Sequence, residues 1–287
     1  MGKSKVDDIN RNIYDIKNED NYDFKIKKGL TKEIVDEISR QKNEPEWMRE
    51  FRLKAIDVYN KLELPTWGPD ISELNMDDIA TYVRPKTKLN TSWDDVPEDI
   101  KDTFDKLGIP EAEKESLAGV GAQYDSEVVY HNMKEELIKQ GVIYTDMESA
   151  VKQYPELVKE HFMKCVPIHD HKFVALHGAV WSGGSFVYVP KNVKVDIPLQ
   201  SYFRLNSPES GQFEHTLIIV EEGASLHFIE GCSAPKYNKV NLHAGCVELY
   251  VKDNAYLRYS TIENWSKNML NLNTKKAIVG KNAKMEW

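Results

Sequence analysis

Cysteine is scarce: the 287 residues hold three, Cys165, Cys232 and Cys246, odd in number and far apart in the chain. With no CxxC pair they support neither a disulfide framework nor a self-contained cysteine-rich zinc or iron–sulfur site, and they fit a reducing cytoplasm. Walker A, GxGxxG and GxSxG motifs are missing, which removes support for ATP hydrolysis, dinucleotide binding and serine-hydrolase chemistry. No apolar stretch is long enough to span a bilayer, and the opening MGKSKVDDINRNIYD contains no apolar h-region. Lysine and arginine form no cluster with interleaved aromatics, and 38 of them against 46 acidic residues leave a net charge of −8. Neither nucleic acid nor a membrane surface is indicated as a partner. What remains is a soluble globular chain whose 41% hydrophobic content suffices for one large domain or two ordinary ones.

The chain does have a repeat. Four phrases, VPKNVKVDI (189–197), VEEGASLHF (220–228), VKDNAYLRY (251–259) and VGKNAKMEW (279–287), recur at intervals of 31, 31 and 28 residues. Periods of this size mark stacked supersecondary units. In each phrase a polar turn, with Asn or Gly before a small residue, leads into apolar residues at every second place. Alternation is the pattern of a strand with one buried face, and Asn or Gly tolerates the positive φ of a tight corner. A rung of strand, corner and strand cannot bury its inner face alone, so rungs stack. The pattern predicts a parallel β-helix over 172–287. No capping segment follows the fourth phrase, which implies that a partner covers that end or that the sequence is a piece of something longer. An open end also predicts edge-to-edge self-association.

The preceding part reads differently. Residues 1–29, dense in charge and Asn, are expected to form a loosely attached arm. Over 30–171 the pattern is mainly helical. Thr31 fits an N-cap, Pro45 opens a second helix with Trp47, Phe51, Ala55 and Tyr59 at i+4 spacing, and Pro97–Leu107 forms another. A further helix is expected to start at Ile109-Pro110. Helical segments are also expected around Met133–Gln140, Asp146–Gln153 and Pro155–Met163, with Val142–Tyr144 as an isolated strand.

Five segments carry a resemblance: GAQYDSEVVYHNM (121–133), SGGSFVYVPKNVKVDIPLQSYFRLN (182–206), GQFEHTL (211–217), IEGCSAP (229–235) and YSTIENW (259–265). From about residue 30 to the end the chain resembles the SufB/SufD family, whose SufB-type members are scaffolds of the SUF iron–sulfur cluster assembly system. The resemblance implies a helical N-terminal domain before a right-handed parallel β-helix, and partners: SufC, an ABC-type ATPase that owns any ATP hydrolysis, the related SufD, and the SufS–SufE sulfur donor. It implies a transient iron–sulfur cluster and reduced FAD in the full complex, although no flavin motif is present. Family members continue well past the position of Trp287. The second functional cysteine and the cluster ligands would lie in that part, so no metal ligand is expected in this chain.

Residue by residue, the resemblance matches Cys232 to the family cysteine that accepts persulfide sulfur. It matches Arg204, Asn206, Thr261, Glu263 and Lys275 to positions lining a path for that sulfur along the solenoid; Glu263 stands where some relatives have Gln. From the residues alone, Cys232, between Gly231 and Pro235, reads first as a buried small hydrophobe, with a partly exposed corner as the competing reading that the resemblance favours. Spacing alone favours the five polar residues pointing into solvent. Cys165 and Cys246 are expected to be structural. His169 and His171 offer two imidazoles without a third ligand nearby, and His215, His227 and His243 are expected in successive rungs. Two other functions compete with the scaffold: a β-helix that binds or cleaves acidic polysaccharides, against which the lack of a secretion signal weighs, and an inactive fragment.

Overall fold

The computed structural model describes residues 15, 17–19, 21–68, 70–106, 117–237, 240–266 and 268–287. In chain order the first part comprises β1 (Tyr22–Lys25), α1 (Lys32–Lys42), α2 (Glu46–Lys61), β2 (Val83–Pro85) and α3 (Glu98–Lys106). There follow β3 (Gly119–Tyr124), β4 (Glu127–Met133), α4 (Glu135–Lys139), β5 (Ile143–Asp146), α5 (Met147–Gln153), α6 (Pro155–His161) and α7 (Lys172–Val180). One rung is then β6 (Ser185–Val189), β7 (Leu199–Arg204) and β8 (Gly211–Gln212); the next is β9 (His215–Val220), β10 (Ser225–Ser233) and β11 (Asn241–His243). A third rung is β12 (Cys246–Val251), β13 (Tyr256–Asn264) and β14 (Met269–Asn271), and β15 (Thr274–Val279) with β16 (Lys284–Glu286) begins another.

The repeated valines stack. Val189 pairs with Val220, Val220 with Val251 and Val251 with Val279, all in parallel register. The chain is therefore a parallel β-solenoid of about three turns with three faces: β6-β9-β12-β15, β7-β10-β13-β16 and β8-β11-β14. After each valine the corner residue has the positive φ anticipated for it: Asn192 at 63°, Gly223 at 69°, Asn254 at 57° and Asn282 at 55°. Inward positions of successive rungs, among them Val187, Ile218, Leu249, Leu226, Phe228 and Leu257, form one buried apolar column. The first phrase departs from its siblings. Between the Lys194–Ser225 bridge and the Leu199–Phe228 pair it holds two more residues than the second phrase, and Ile197 is consequently 40% exposed instead of inward. Pro198, which has no N–H to give a ladder, sits in that bulged stretch.

The strands of the β6-β9-β12 face are buried on both sides because helices cover the outer one. Phe186, Leu217, Ile219 and Tyr250 point outward into a core shared with α1, α2 and α7. Phe173 to Val180 are all buried, and a Cβ on Gly178 would come within 2.9 Å of Ile168 and 3.2 Å of Ala55, so α7 lies flush against α2. Thr31 caps α1 by accepting from the Ile34 N–H, as its sequence position predicts. In α2 the fully buried stripe is Met48, Arg52, Ala55 and Ile56, with Trp47, Phe51 and Tyr59 packed at its margin.

Four expectations need correction. Val142–Tyr144 does not stand alone: β5 pairs antiparallel with β6, and β3 extends the neighbouring face by pairing parallel with β7 and antiparallel with β4. The stretch before residue 172 thus supplies solenoid strands, whereas Lys172–Val180 is helical. The described part of the arm is docked, since β1 pairs with β2 and Asn18 hydrogen-bonds to Asn206 and Tyr124. Residues 1–14 of the arm and the helix start at Ile109-Pro110 lie outside the described residues. Finally, His215, His227 and His243 sit on β9, β10 and β11, three faces of one rung, not in successive rungs.

Candidate functional site

Strand parity decides what faces the solenoid interior. In β10, Leu226 and Phe228 are inward, so Glu230 and Cys232 are inward too, at 0% and 1% exposure. Cys232 is flanked by Phe203 of β7 and Glu263 of β13. It lies within a continuous strand and not at an exposed corner. Gly231 is required there for another reason: a Cβ would meet the Tyr202 ring at 2.5 Å.

Around Cys232 the apolar column gives way to a polar chamber. Lys275 Nζ donates to Glu230 Oε1 at 2.9 Å and Thr261 Oγ1 at 3.0 Å, and reaches Glu263 Oε1 at 3.5 Å. The other Glu230 oxygen accepts from the Tyr259 hydroxyl and, at 3.4 Å, from Thr216. Glu263 Oε2 accepts from Asn271 at 2.5 Å and from the Trp265 indole at 3.1 Å. Burial works to lower the Lys275 pKa, yet Glu230, Cys232 and Glu263 together hold the ammonium above its ordinary value; burial works to raise Glu263, yet Lys275, with Trp265, His243 and Asn271, holds it below. Here the side chains of Glu263 and Lys275 keep 24% and 19% exposure, whereas Cys232 keeps almost none.

Sequence reasoning missed two further members. Glu214, in the turn between β8 and β9, and His243, at the end of β11, bring a carboxylate oxygen and a ring nitrogen to the Cys232 sulfur, the three ligand atoms lying within 4.8 Å of one another. His243 Nε2 lies 2.5 Å from Glu214 Oε1, and Nδ1 lies 2.8 Å from Asn271 Oδ1. Two acceptors at the two ring nitrogens favour the imidazolium; burial opposes it, and Glu214 leads in raising the pKa above the usual histidine value. Burial, then Glu230 and Glu214, push the Cys232 thiol well above its ordinary pKa, so the resting group is the protonated thiol.

Thr261, Glu263 and Lys275 thus join Cys232 in one chamber. Arg204 and Asn206 do not: Arg204 Nη1 and the Tyr202 hydroxyl both bind Ser233 Oγ on the outer side of the same sheet, and Asn206 bonds with Asp125 and Asn18. Cys246 is outward on β12 under the helices, in a second buried group with His177 and His215 whose ligand atoms also lie within 4.8 Å. There His177 Nδ1 faces the Ala244 carbonyl at 2.9 Å, its Nε2 faces His215 Nδ1 at 3.0 Å, and Glu248 accepts the N–H groups of Met163 and Val166. His215 Nε2 is 3.2 Å from Glu248 Oε2 but poorly aligned, an electrostatic contact more than a hydrogen bond. Cys165 is half-buried, its pKa pushed up to about 11 by burial and by Glu248. His169 is exposed, while His171 faces Trp67 and Thr274, so that pair builds no ligand group.

Residues 30–201 match the family model described as the SufBD protein N-terminal region. The chain belongs to the SufBD family. Residues 203–287 of this SufBD chain match the model described as the SUF system FeS cluster assembly SufBD core domain. It is 54% identical over 283 residues to the iron-sulfur cluster assembly protein SufB of Bacillus subtilis, covering 99% of this chain and 61% of that one. It is 55% and 56% identical, with the same coverage, to iron-sulfur cluster assembly SufBD family proteins of Staphylococcus aureus and Staphylococcus haemolyticus. The chain therefore spans about three-fifths of the length of the curated relatives it matches. No helix among its described residues is long and apolar enough to cross a membrane.

Proposed function

We propose that this chain is the sulfur-receiving portion of a cytoplasmic iron–sulfur cluster assembly scaffold and that Cys232 is its acceptor. The observation that carries the reading is the placement of Cys232: inward, in an otherwise apolar solenoid, beside a chamber built from Glu230, Lys275, Thr261 and Glu263. Burying such charges is costly unless they are paired, and a purely structural solenoid gains more from leucine at the same places. The Cys232 thiolate attacks the outer sulfur of a donor persulfide, forming the S–S bond of a Cys232 persulfide; the donor's S–S bond breaks and its thiol leaves with the proton Cys232 gave up. Sulfur is exchanged without net oxidation or reduction. Because the thiol is buried and protonated at rest, transfer requires the chamber to open.

In this reading the donor is the SufS–SufE pair, SufD and the SufC ATPase are the assembly partners, and the cluster is cargo, not a resident cofactor. The chain itself hydrolyses nothing. Thr261, Glu263 and Lys275 border the sulfur's route, and Arg204 and Asn206 support its outer wall. Reduced FAD is implied for the full complex, and this chain carries no flavin motif. The test is mass spectrometry after incubation with a persulfide donor: one sulfur atom is gained at Cys232 and none in Cys232→Ser. Labelling confined to Cys165 or Cys246, or none on the folded chain, refutes the proposal.

A further inference from the structure

Beside Cys232 the chamber contains two potential ligands, Glu214 and His243, that the sulfur-accepting role does not use. We infer that Glu214, Cys232 and His243 form a binding site for a divalent transition metal ion, Fe2+ in the setting of cluster assembly, so that iron and sulfur meet at the same cysteine. The biological setting rests on the reading of Cys232 as sulfur acceptor; the metal site itself rests on geometry.

Three observations support it. First, a thiolate, an imidazole and a carboxylate from three separate segments converge with their ligand atoms within 4.8 Å. Around one ion, with metal–ligand distances of about 2.0–2.3 Å, such atoms lie roughly 3–4 Å apart, so side-chain rotation of an ångström or so completes the set. This mixed donor set suits Fe2+, Zn2+ or Co2+ and disfavours Mg2+ and Ca2+, which want oxygen alone. Second, Glu214 Oε2 is buried and has no hydrogen-bond partner, although its carboxylate is 2% exposed. A buried acceptor without a partner is costly, and a bound cation would satisfy it. Third, Asn271 already holds the His243 Nδ1 side at 2.8 Å, which is the outer-shell contact that leaves Nε2 as the coordinating atom.

The second cluster is less suited: His177 has both ring nitrogens engaged, Nδ1 by the Ala244 carbonyl and Nε2 by His215 Nδ1, and the neighbouring Glu248 is occupied by two backbone N–H groups.

Anaerobic Co2+ titration of the full chain tests the inference, because thiolate–cobalt bonding gives a charge-transfer band that oxygen ligation does not. The band is expected in the native chain and in Cys246→Ser, absent in Cys232→Ser, and at least about tenfold weaker in affinity in Glu214→Gln and His243→Gln, in the range expected for removing one coordinating group. The inference is overturned by a band that persists in Cys232→Ser, by one lost in Cys246→Ser, by unchanged affinity in both Gln variants, or by no band on a chain whose circular dichroism shows it folded. Should Cys232→Ser fail to fold, the two Gln variants decide. Persulfide gain at Cys232 without a cobalt band overturns the metal site and leaves the proposed function standing; a band without persulfide gain does the reverse.

Discussion

Lys275 Nζ sits 2.9 Å from Glu230 Oε1 inside the solenoid, tying the beginning of one rung to the middle of the rung two below it. The carboxylate is 1% exposed and depends on this ammonium to offset its desolvation. Removing only the cation leaves a buried charge supported by hydroxyls alone.

Lys275→Met should therefore destabilise the chain by about 3 kcal/mol, the lower end for breaking a buried pair because Lys275 is partly solvated. Lys275→Met combined with Glu230→Gln should cost clearly less than the two single changes added, since the neutral amide needs no counter-charge and can still accept from Tyr259. Urea denaturation of the four proteins gives the comparison. Strict additivity would show that the pair does not act as a unit.

How far this chamber could be read in advance depends on which contacts are local. The valine-led phrases and their corners were legible because alternation and positive-φ residues are encoded within nine residues. Hairpin β3–β4 was not: Gly119–Tyr124 is buried nearly throughout, so it carries no two-sided pattern, and its partner β7 is far along the chain. The Phe186, Leu217 and Ile219 side chains face outward yet are buried, because helices contribute a second apolar layer that no strand pattern reveals. Gly231 and Pro235 suggest a corner at Cys232, but Gly231 answers to the Tyr202 ring across the sheet. Glu214 and His243 carried no signal, since each becomes a neighbour of Cys232 only when the rung closes. Arg204 and Asn206 illustrate the converse limit: membership of a motif does not tell which side of a strand a residue faces.

A pH effect follows from His131. Its ring packs edge-on against Tyr144 with centroids 4.3 Å apart, its Nε2 has no hydrogen-bond partner, and burial lowers its pKa from 6.5 to about 4. The folded state thus resists a proton that the unfolded chain takes up near pH 6.5. Between 6.5 and about 4 the unfolded state binds more protons, so this residue makes stability fall as pH falls through that window. His131→Phe keeps the aromatic contact and removes the titration, and its stability should decline less steeply than the native chain's between pH 6.5 and 4.5. Thermal melts across that range measure the difference; parallel curves would refute it.

The junction between helices and solenoid rests on Arg52 and Glu44, whose side chains are 0% and 2% exposed. Arg52 Nε and Nη2 meet the two Glu44 oxygens at 2.7 and 2.6 Å, a bidentate fork. The same guanidinium donates to the Ala179 carbonyl at 3.2 Å and the Trp181 carbonyl at 2.9 Å, satisfying groups at the C-terminal end of α7. Arg52→Met strands both the carboxylate and those carbonyls and should cost about 3–5 kcal/mol. Arg52→Lys keeps the charge but cannot reproduce a planar fork serving three acceptor groups, so it should recover less than half of that loss. Adding Glu44→Leu to Arg52→Met removes the stranded charge and should restore a substantial part of the stability. Guanidinium denaturation reads all four proteins, and a Lys variant as stable as the native chain would show that charge, not the fork, holds the junction.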